Sequence, residues 1–238
     1  MKEQAKFFWA GVRAEVPLLI GVFPFGMIYG ALALNAGLTA SAAQAMSSIV
    51  FAGSAQFVTA QLIRESAPGF VIVLTVAIVN LRHVLYSASL APYLAPLSTR
   101  WKTLLAYLLT DEAYAPTILK CEREGATPHT HWFLLGAGLA LWGTWQVSTA
   151  LGIFLGTAIP ESWSLDFALP LTFIAMVVPV LKGRPYIAAA LSAGVTALVA
   201  HSLPYKLGLI LAAVLPWELI WKRKANSTGL ELWIDVTQ

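Results

Sequence analysis

Charge is what this sequence has least of. Acidic and basic residues make up 11% of the chain, against about 25% in soluble domains. From Val16 to Ile63 there is no Asp, Glu, Lys or Arg. With 58% hydrophobic residues and a mean hydropathy of +0.72, the chain lacks the polar surface to coat a water-soluble globule, so lipid must be the solvent for much of it. Cysteine is almost missing too. The single Cys121 excludes an internal disulfide and a thiolate metal cluster. No Cys/His/carboxylate spacing suggests a metal, no glycine loop suggests a nucleotide, and no Gly-x-Ser-x-Gly elbow suggests a hydrolase. Cofactors, direct ATP drive and enzymatic chemistry are therefore not expected. The net charge of +3 does not indicate nucleic acid, because the basic residues are scattered and their longest run is Lys222-Arg223-Lys224. No cleavable leader is evident, since Lys2, Lys6 and Arg13 mingle with Phe7, Phe8 and Trp9 ahead of a run long enough to span.

What is present is a series of long apolar runs. A spanning helix needs about 20 largely apolar residues. Eight segments are predicted: Val16–Leu34, Ser41–Ile63, Gly69–Leu90, Thr103–Ile118, Trp132–Ile159, Leu165–Leu181, Pro185–Ala200 and Tyr205–Trp221. The expected fold is all-α, a polytopic integral membrane protein with 7–8 transmembrane helices, some broken or short. Ser41–Ile63, rich in Ala, Ser and Gln, is either spanning or re-entrant. Residues 1–224 are read as one membrane domain and 225–238 as a cytoplasmic tail carrying no spanning signal. Asn226-Ser227-Thr228 matches a glycosylation acceptor there by chance.

Lys and Arg bias in short loops sets orientation. Eight spans put Lys2, Lys6, Arg13, Arg64, Lys120, Arg123, Lys182, Arg184 and Lys222-Arg223-Lys224 on one side, the cytoplasm, together with both termini. Arg100 and Lys102 then fall on the wrong side. Trp9, Trp101, Trp132, Trp217 and Trp221 lie near segment ends, where the interface suits an amphipathic ring. Gly26-x-x-x-Gly30 and Gly152-x-x-x-Gly156 predict close helix contact within the chain. Pro17, Pro24, Pro92, Pro96, Pro116, Pro170 and Pro179 each remove a backbone donor and can kink or end a helix. No internal repeat is evident; Pro17/Pro24 and Pro170/Pro179 echo only faintly.

Ionisable residues inside apolar sequence mark functional sites by default. Three constellations stand out. Phe51-Ala52-Gly53-Ser54-Ala55-Gln56-Phe57 places small residues beside Ser54 and Gln56, neutral groups able to bind a zwitterion, or else to join helices. Asn80-Leu81-Arg82-His83-Val84-Leu85-Tyr86-Ser87-Ala88-Ser89 puts Arg82, Tyr86 and Ser89 on one helix face. Arg82 cannot readily lose its proton and needs a carboxylate partner or ligand. His83, titrating near neutrality, is a candidate proton relay or a satisfied core histidine. In Leu109-Thr110-Asp111-Glu112-Ala113-Tyr114 the adjacent acids point about 100° apart, so one can pair with Arg82 while the other takes an ammonium group or a proton. At about 1.5 Å per residue, Arg82 and Asp111 each lie ~12 Å from helix ends at Leu90 and Thr103, so antiparallel helices would bring them level. Trp142 and Trp145, inside the fifth segment, are either packing residues or a cavity wall. His201, Lys206 and Glu218 read as interfacial, and His129 and His131 as solvated.

These three stretches resemble the AzlC family, large subunits of bacterial branched-chain amino acid exporters. The run Arg82-His83-Val84-Leu85-Tyr86-Ser87-Ala88-Ser89 is the most specific part. The resemblance extends from about Phe7 to about Trp221. It implies export of valine, leucine, isoleucine or similar amino acids across the inner membrane, and a small AzlD-like membrane subunit as partner. The residues alone reach only a small polar or zwitterionic solute. Taken together they predict substrate binding by Ser54, Gln56, Asn80, Arg82, Tyr86, Asp111 and Glu112, and proton relay by His83, Asp111 and Glu112. Phe51, Phe57 and Trp142 are candidates for holding the aliphatic side chain. An uncoupled channel or a non-transporting scaffold subunit are the alternatives.

Overall fold

The computed structural model describes residues 2–125, 127–156 and 184–200, together with 203, 208, 211 and 212. The predicted segment Leu165–Leu181, nearly all of Tyr205–Trp221, the tail from 225, and His201, Lys206 and Glu218 lie outside them. Every described element is a helix: α1 (Lys2–Asn35), α2 (Ala40–Ile49), α3 (Gly53–Arg64), α4 (Gly69–Leu94), α5 (Thr99–Leu108), α6 (Asp111–Glu124), α7 (Thr130–Gly156) and α8 (Arg184–Val199). The chain divides into two compact units, Met1–Ala168 and Leu169–Gln238. Of the second, the structure describes α8 and a close approach in which a side chain on Gly208 would meet Ala200 O at 2.6 Å.

In the first unit α1, α4 and α7 are long and apolar enough to cross a membrane. The others are not. At about 1.5 Å per residue, α2 and α5, with 10 residues each, reach ~15 Å, half of a ~30 Å hydrocarbon core.

The contacts fix the directions. α1 and α7 run parallel: Gly11 meets Phe133, Gly26 meets Ser148 and Gly30 meets Thr149. Small residues make that possible. A Cβ on Gly30 would lie 2.4 Å from Thr149 O, and one on Gly152 2.1 Å from Met27 O. Both small-residue motifs are thus spent on a backbone-to-backbone seam within the chain.

From the end of α1, the face opposite the N-terminus, α2 descends. Tyr29 Oη donates to Ala43 O at 3.1 Å, and Ser47 Oγ shares a hydrogen bond with Thr149 Oγ1 at 2.9 Å. The chain breaks at residues 50–52, and α3 climbs back past Phe25 and Tyr29. α4 then runs down to the N-terminal face. There α5 starts beside α7, with Trp101 against His131 and Trp132. α5 rises until Leu108 packs on Gly138, the chain breaks at Leu109-Thr110, and α6 descends until Lys120 Nζ sits over the Phe7 and Phe133 rings at 5.1 and 5.4 Å.

The segments read as Ser41–Ile63 and Thr103–Ile118 are therefore each a re-entrant hairpin, entering from opposite faces, rather than single spans. Neither break is at a proline. Pro17, Pro24, Pro92 and Pro116 all lie inside continuous helices. The first break holds Phe51 at φ +41°, a strained value for a bulky residue. The second is a helix start written in the sequence: Thr110 is the N-cap, its Oγ1 accepting from Ala113 N, and Asp111 and Glu112 follow in the first turn, where the helix dipole favours acids.

Reversing the path this way moves the charges. Arg100 and Lys102 now share the N-terminal face with Lys2, Lys6, Lys120 and Arg123, and Arg64 moves to the far face. The sequence reading had these the other way round, because it counted each hairpin as a crossing.

The first unit also contains a repeat the sequence did not reveal. Helix boundaries recur 59 residues on: Asn35 and Leu94, Ala40 and Thr99, Ile49 and Leu108. Thr39 and Ser98 stand at the two corresponding N-caps. Past the breaks the offset is 58, from Gly53 to Asp111, and at that offset Thr59 and Thr117 each bond back to the carbonyl four residues earlier, both at 2.7 Å. One long helix plus a hairpin is thus built twice, with opposite orientation.

Candidate functional site

The hairpin tips meet beside the middle of α4. Asn80 to Ser89 occupy the centre and second half of that helix, so Arg82 reaches both tips. Its Nη1 donates to Asp111 Oδ2 at the start of α6. Its Nη2 donates to Ser54 Oγ at 2.7 Å, at the start of α3. One guanidinium thereby holds two helix N-termini. The α6 end is capped by Thr110, whereas at the α3 end Ala52 offers no side-chain cap. Free backbone amides at such an end attract anions.

The clamp leaves polar atoms without partners. Arg82 Nε, Asp111 Oδ1 and Asn80 Oδ1 are buried and make no hydrogen bond. A donor and an acceptor are thus open side by side, in a place where unmet groups are costly. The tips also touch directly: Tyr107 Oη donates to Ser48 O and accepts from Trp142 Nε1 at 2.7 Å, and the Phe51 and Tyr107 rings lie 5.9 Å apart.

Toward the N-terminal face the Tyr86 and Tyr114 rings stack at 4.5 Å, and Ser89 Oγ bonds Tyr114 Oη at 2.9 Å. His83 Nδ1 sits 3.2 Å from Asn80 O, and its ring meets Tyr86 edge-on. An apolar cavity of about 370 Å³ lies between the second half of α4 and α5. Ser87 and Leu109 are at its inner end, and Lys102 and Ala95 at its outer end.

Of the residues singled out from sequence, Ser54, Arg82 and Asp111 come together in one contact, with Asn80, His83, Tyr86 and Glu112 around them. Gln56 does not join them. It is fully buried, giving Nε2 to Ser47 Oγ at 3.0 Å and taking Trp145 Nε1 at 3.1 Å. Its hydrogen bonds fasten α3 to α2 and α7. Phe57 is equally enclosed, between Phe25 and Tyr29, and Trp145 belongs to the same cluster. Among the described residues no group of three or more His, Cys, Asp or Glu could hold a metal.

One residue was missed. Glu15 lies inside α1, is 0% exposed, and neither carboxyl oxygen has a hydrogen-bond partner. The first predicted span begins at Val16, one residue beyond it.

The AzlC protein family matches residues 17–159, which include both hairpins and all of α4. An uncharacterized membrane protein of Archaeoglobus fulgidus is 31% identical over 216 residues, 89% of this chain and 93% of its own length. The inner membrane protein YgaZ of Escherichia coli is 28% identical, over 71% of both chains. The branched-chain amino acid transport protein AzlC of Bacillus subtilis is 25% identical over 71% of this chain and 67% of its own. No solved structure matches the chain.

Proposed function

Because the chain belongs to the AzlC family, we propose that it is a secondary transporter exporting branched-chain amino acids, coupled to protons, in the bacterial inner membrane. A small AzlD-like membrane subunit is its proposed partner. The observation that carries this reading is the open donor and acceptor at the hairpin tips, Arg82 Nε beside Asp111 Oδ1. They match the carboxylate and ammonium of one amino acid. The carboxylate would take Arg82 Nε and the uncapped α3 amides, and the ammonium would take Asp111. The aliphatic side chain would point into the cavity between α4 and α5, where Lys102, at the outer end, is the one charged residue among the described lining residues.

Hairpins broken near the bilayer midplane and built as an inverted repeat suit alternating access, in which two halves rock about a fixed site. With the Lys and Arg excess of the N-terminal face, the positive-inside rule assigns that face to the cytoplasm. The cavity then gives access from the cell interior. An apolar pocket separates substrates differing by one methylene by only about 1–3 kcal/mol, so valine, leucine and isoleucine should compete.

The test is counterflow of labelled valine in proteoliposomes holding the full chain, with and without the small subunit. Valine should exchange, leucine should compete, and Arg82→Ala should abolish exchange. Absence of valine flux in folded protein, or native flux in Arg82→Ala, overturns the reading.

A further inference from the structure

Two kinds of seam hold the first unit together. Between α1 and α7 glycine lies against backbone, at Gly30 and Gly152, and there is no space for water. Helix α2 is fastened by hydroxyls and amides instead. Tyr29 Oη on α1 donates to Ala43 O, and Ser47 Oγ shares a hydrogen bond with Thr149 Oγ1 on α7. All four residues are 0% exposed. Beside them Gln44 Nε2 donates to Gln146 Oε1 at 2.9 Å, Ser48 Oγ donates to the same oxygen at 2.8 Å, and Gln146 Nε2 donates to Ser47 O at 3.1 Å.

These bonds lie between the far face, where α2 begins, and the hairpin tip that leads to Ser54. α2 has no ionisable residue, and each of these partners is neutral. A neutral hydrogen bond contributes little net against water, yet its groups are costly when buried unpaired. A seam of this kind parts only as water enters to replace the bonds, and closes as water leaves. Gln44 Oε1 is already buried without a partner, an acceptor that entering water would satisfy.

The second copy of the repeat has no such set. At the offset of 59 residues, Tyr29 and Ser47 correspond to Ala88 and Ala106, which have no polar side-chain atom. Ala106 lines the cavity beside α5. The hydroxyls are present where α2 is sealed in place, and missing where α5 leaves a cavity against α4.

We propose that Tyr29, Gln44, Ser47 and Gln146 form a polar latch on the far-face exit, and that the missing counterpart in the second copy sets the protein to rest open toward the N-terminal face. Parting of α2 from α1 and α7 breaks the latch and admits water from the far face; closure restores it. An exporter loads its solute from the N-terminal face, so the latch makes the loading state the resting one. That role rests on the export reading; the latch as a barrier to water does not.

The experiment uses the full-length chain in a Cys121→Ser background in proteoliposomes, with a membrane-impermeant methanethiosulfonate as probe. Ala43→Cys reports on α2 and Ala91→Cys on the cavity. With the latch intact, Ala43→Cys should react slowly from the far face and Ala91→Cys readily from the N-terminal face. Tyr29→Phe keeps the ring against Phe57 and Trp145 and removes only the hydroxyl. It and Ser47→Ala should each raise the Ala43→Cys rate by roughly two- to tenfold, the contribution of one neutral hydrogen bond, and leave Ala91→Cys no faster. Unchanged Ala43→Cys rates in both variants overturn the latch, as does a rise at both reporters, which marks general loosening. The Ser47 and Thr149 hydroxyls are close enough to be replaced by a disulfide. Ser47→Cys with Thr149→Cys should therefore stop valine counterflow when oxidised and restore it on reduction. Counterflow that continues through the cross-linked chain also overturns the latch. Should Tyr29→Phe not fold, Ser47→Ala and the cross-link decide. If the latch-intact chain moves no valine while the labelling behaves as stated, the export reading fails and the latch stands.

Discussion

Neutralising Arg82 and Asp111 separately and together is the sharpest test of the clamp. Removing one partner of a buried ion pair costs about 3–5 kcal/mol, because the other charge is left stranded. Here the two side chains are 28% and 31% exposed, so water recovers part of the loss and about 2–3 kcal/mol is expected for Asp111→Asn. Arg82→Gln should cost about 1 kcal/mol more, since it also takes the donor from Ser54 Oγ. The double variant strands neither charge. It should therefore lose at least about 1.5 kcal/mol less than the two single losses combined. Reversible unfolding in mixed micelles, followed by tryptophan fluorescence, measures this, with Trp142 and Trp145 beside the hairpin tips as reporters. Single losses that add to within about 0.5 kcal/mol would show that the two residues are energetically independent. The guanidinium would then not be what joins the hairpins.

Two other expectations concern the scaffold. Gly152→Ala puts a methyl 2.1 Å from Met27 O, so α1 and α7 must separate, with a loss of about 1–3 kcal/mol; Gly143→Ala, with nothing within 4 Å, should be neutral or stabilising by up to about 1 kcal/mol. Equal unfolding midpoints for the two variants would contradict the close parallel seam. In a Cys121→Ser background, cysteine at Ser98 should react with an impermeant thiol reagent from the N-terminal face and cysteine at Ser66 from the far face; the reverse pattern would mean that each hairpin crosses the membrane.

The three long helices were readable from sequence because an unbroken apolar run of more than about 20 residues has few other uses. The hairpins were not. Helices of 10 and 12 residues in sequence have the length and apolarity of one span, and only their neighbours reveal that the second turns back. Two signals pointed to it. Thr110-Asp111-Glu112 is a helix start in the middle of a presumed helix, and Arg100 and Lys102 fell on the wrong side of an eight-span count. The meeting of Arg82 with Asp111 was anticipated from depth, but by the wrong route: α4 and α6 run parallel, and the hairpin turn makes them level. Gln56 looked like a binding residue because its amide can serve a ligand or a neighbour equally well, and burial decided for Ser47 and Trp145. Glu15 escaped because it borders the charge-free run, and α1 begins 13 residues before it. The repeat escaped because its two copies keep the spacing of their helix boundaries while their side chains, and the lengths of α1 and α4, differ.

The repeat makes each half a drawing of what the other half can become. The cavity beside α5 is lined by Ser87, Leu90, Ala91, Lys102 and Ala106. Moved back by 59 positions these are Ile28, Ala31, Leu32, Ala43 and Ser47, of which the last four are buried. The crevice is open in one copy and shut in the other. An exchange of conformation between the two copies would close the gap beside α5 and part α1 from α2, turning the opening toward the opposite face.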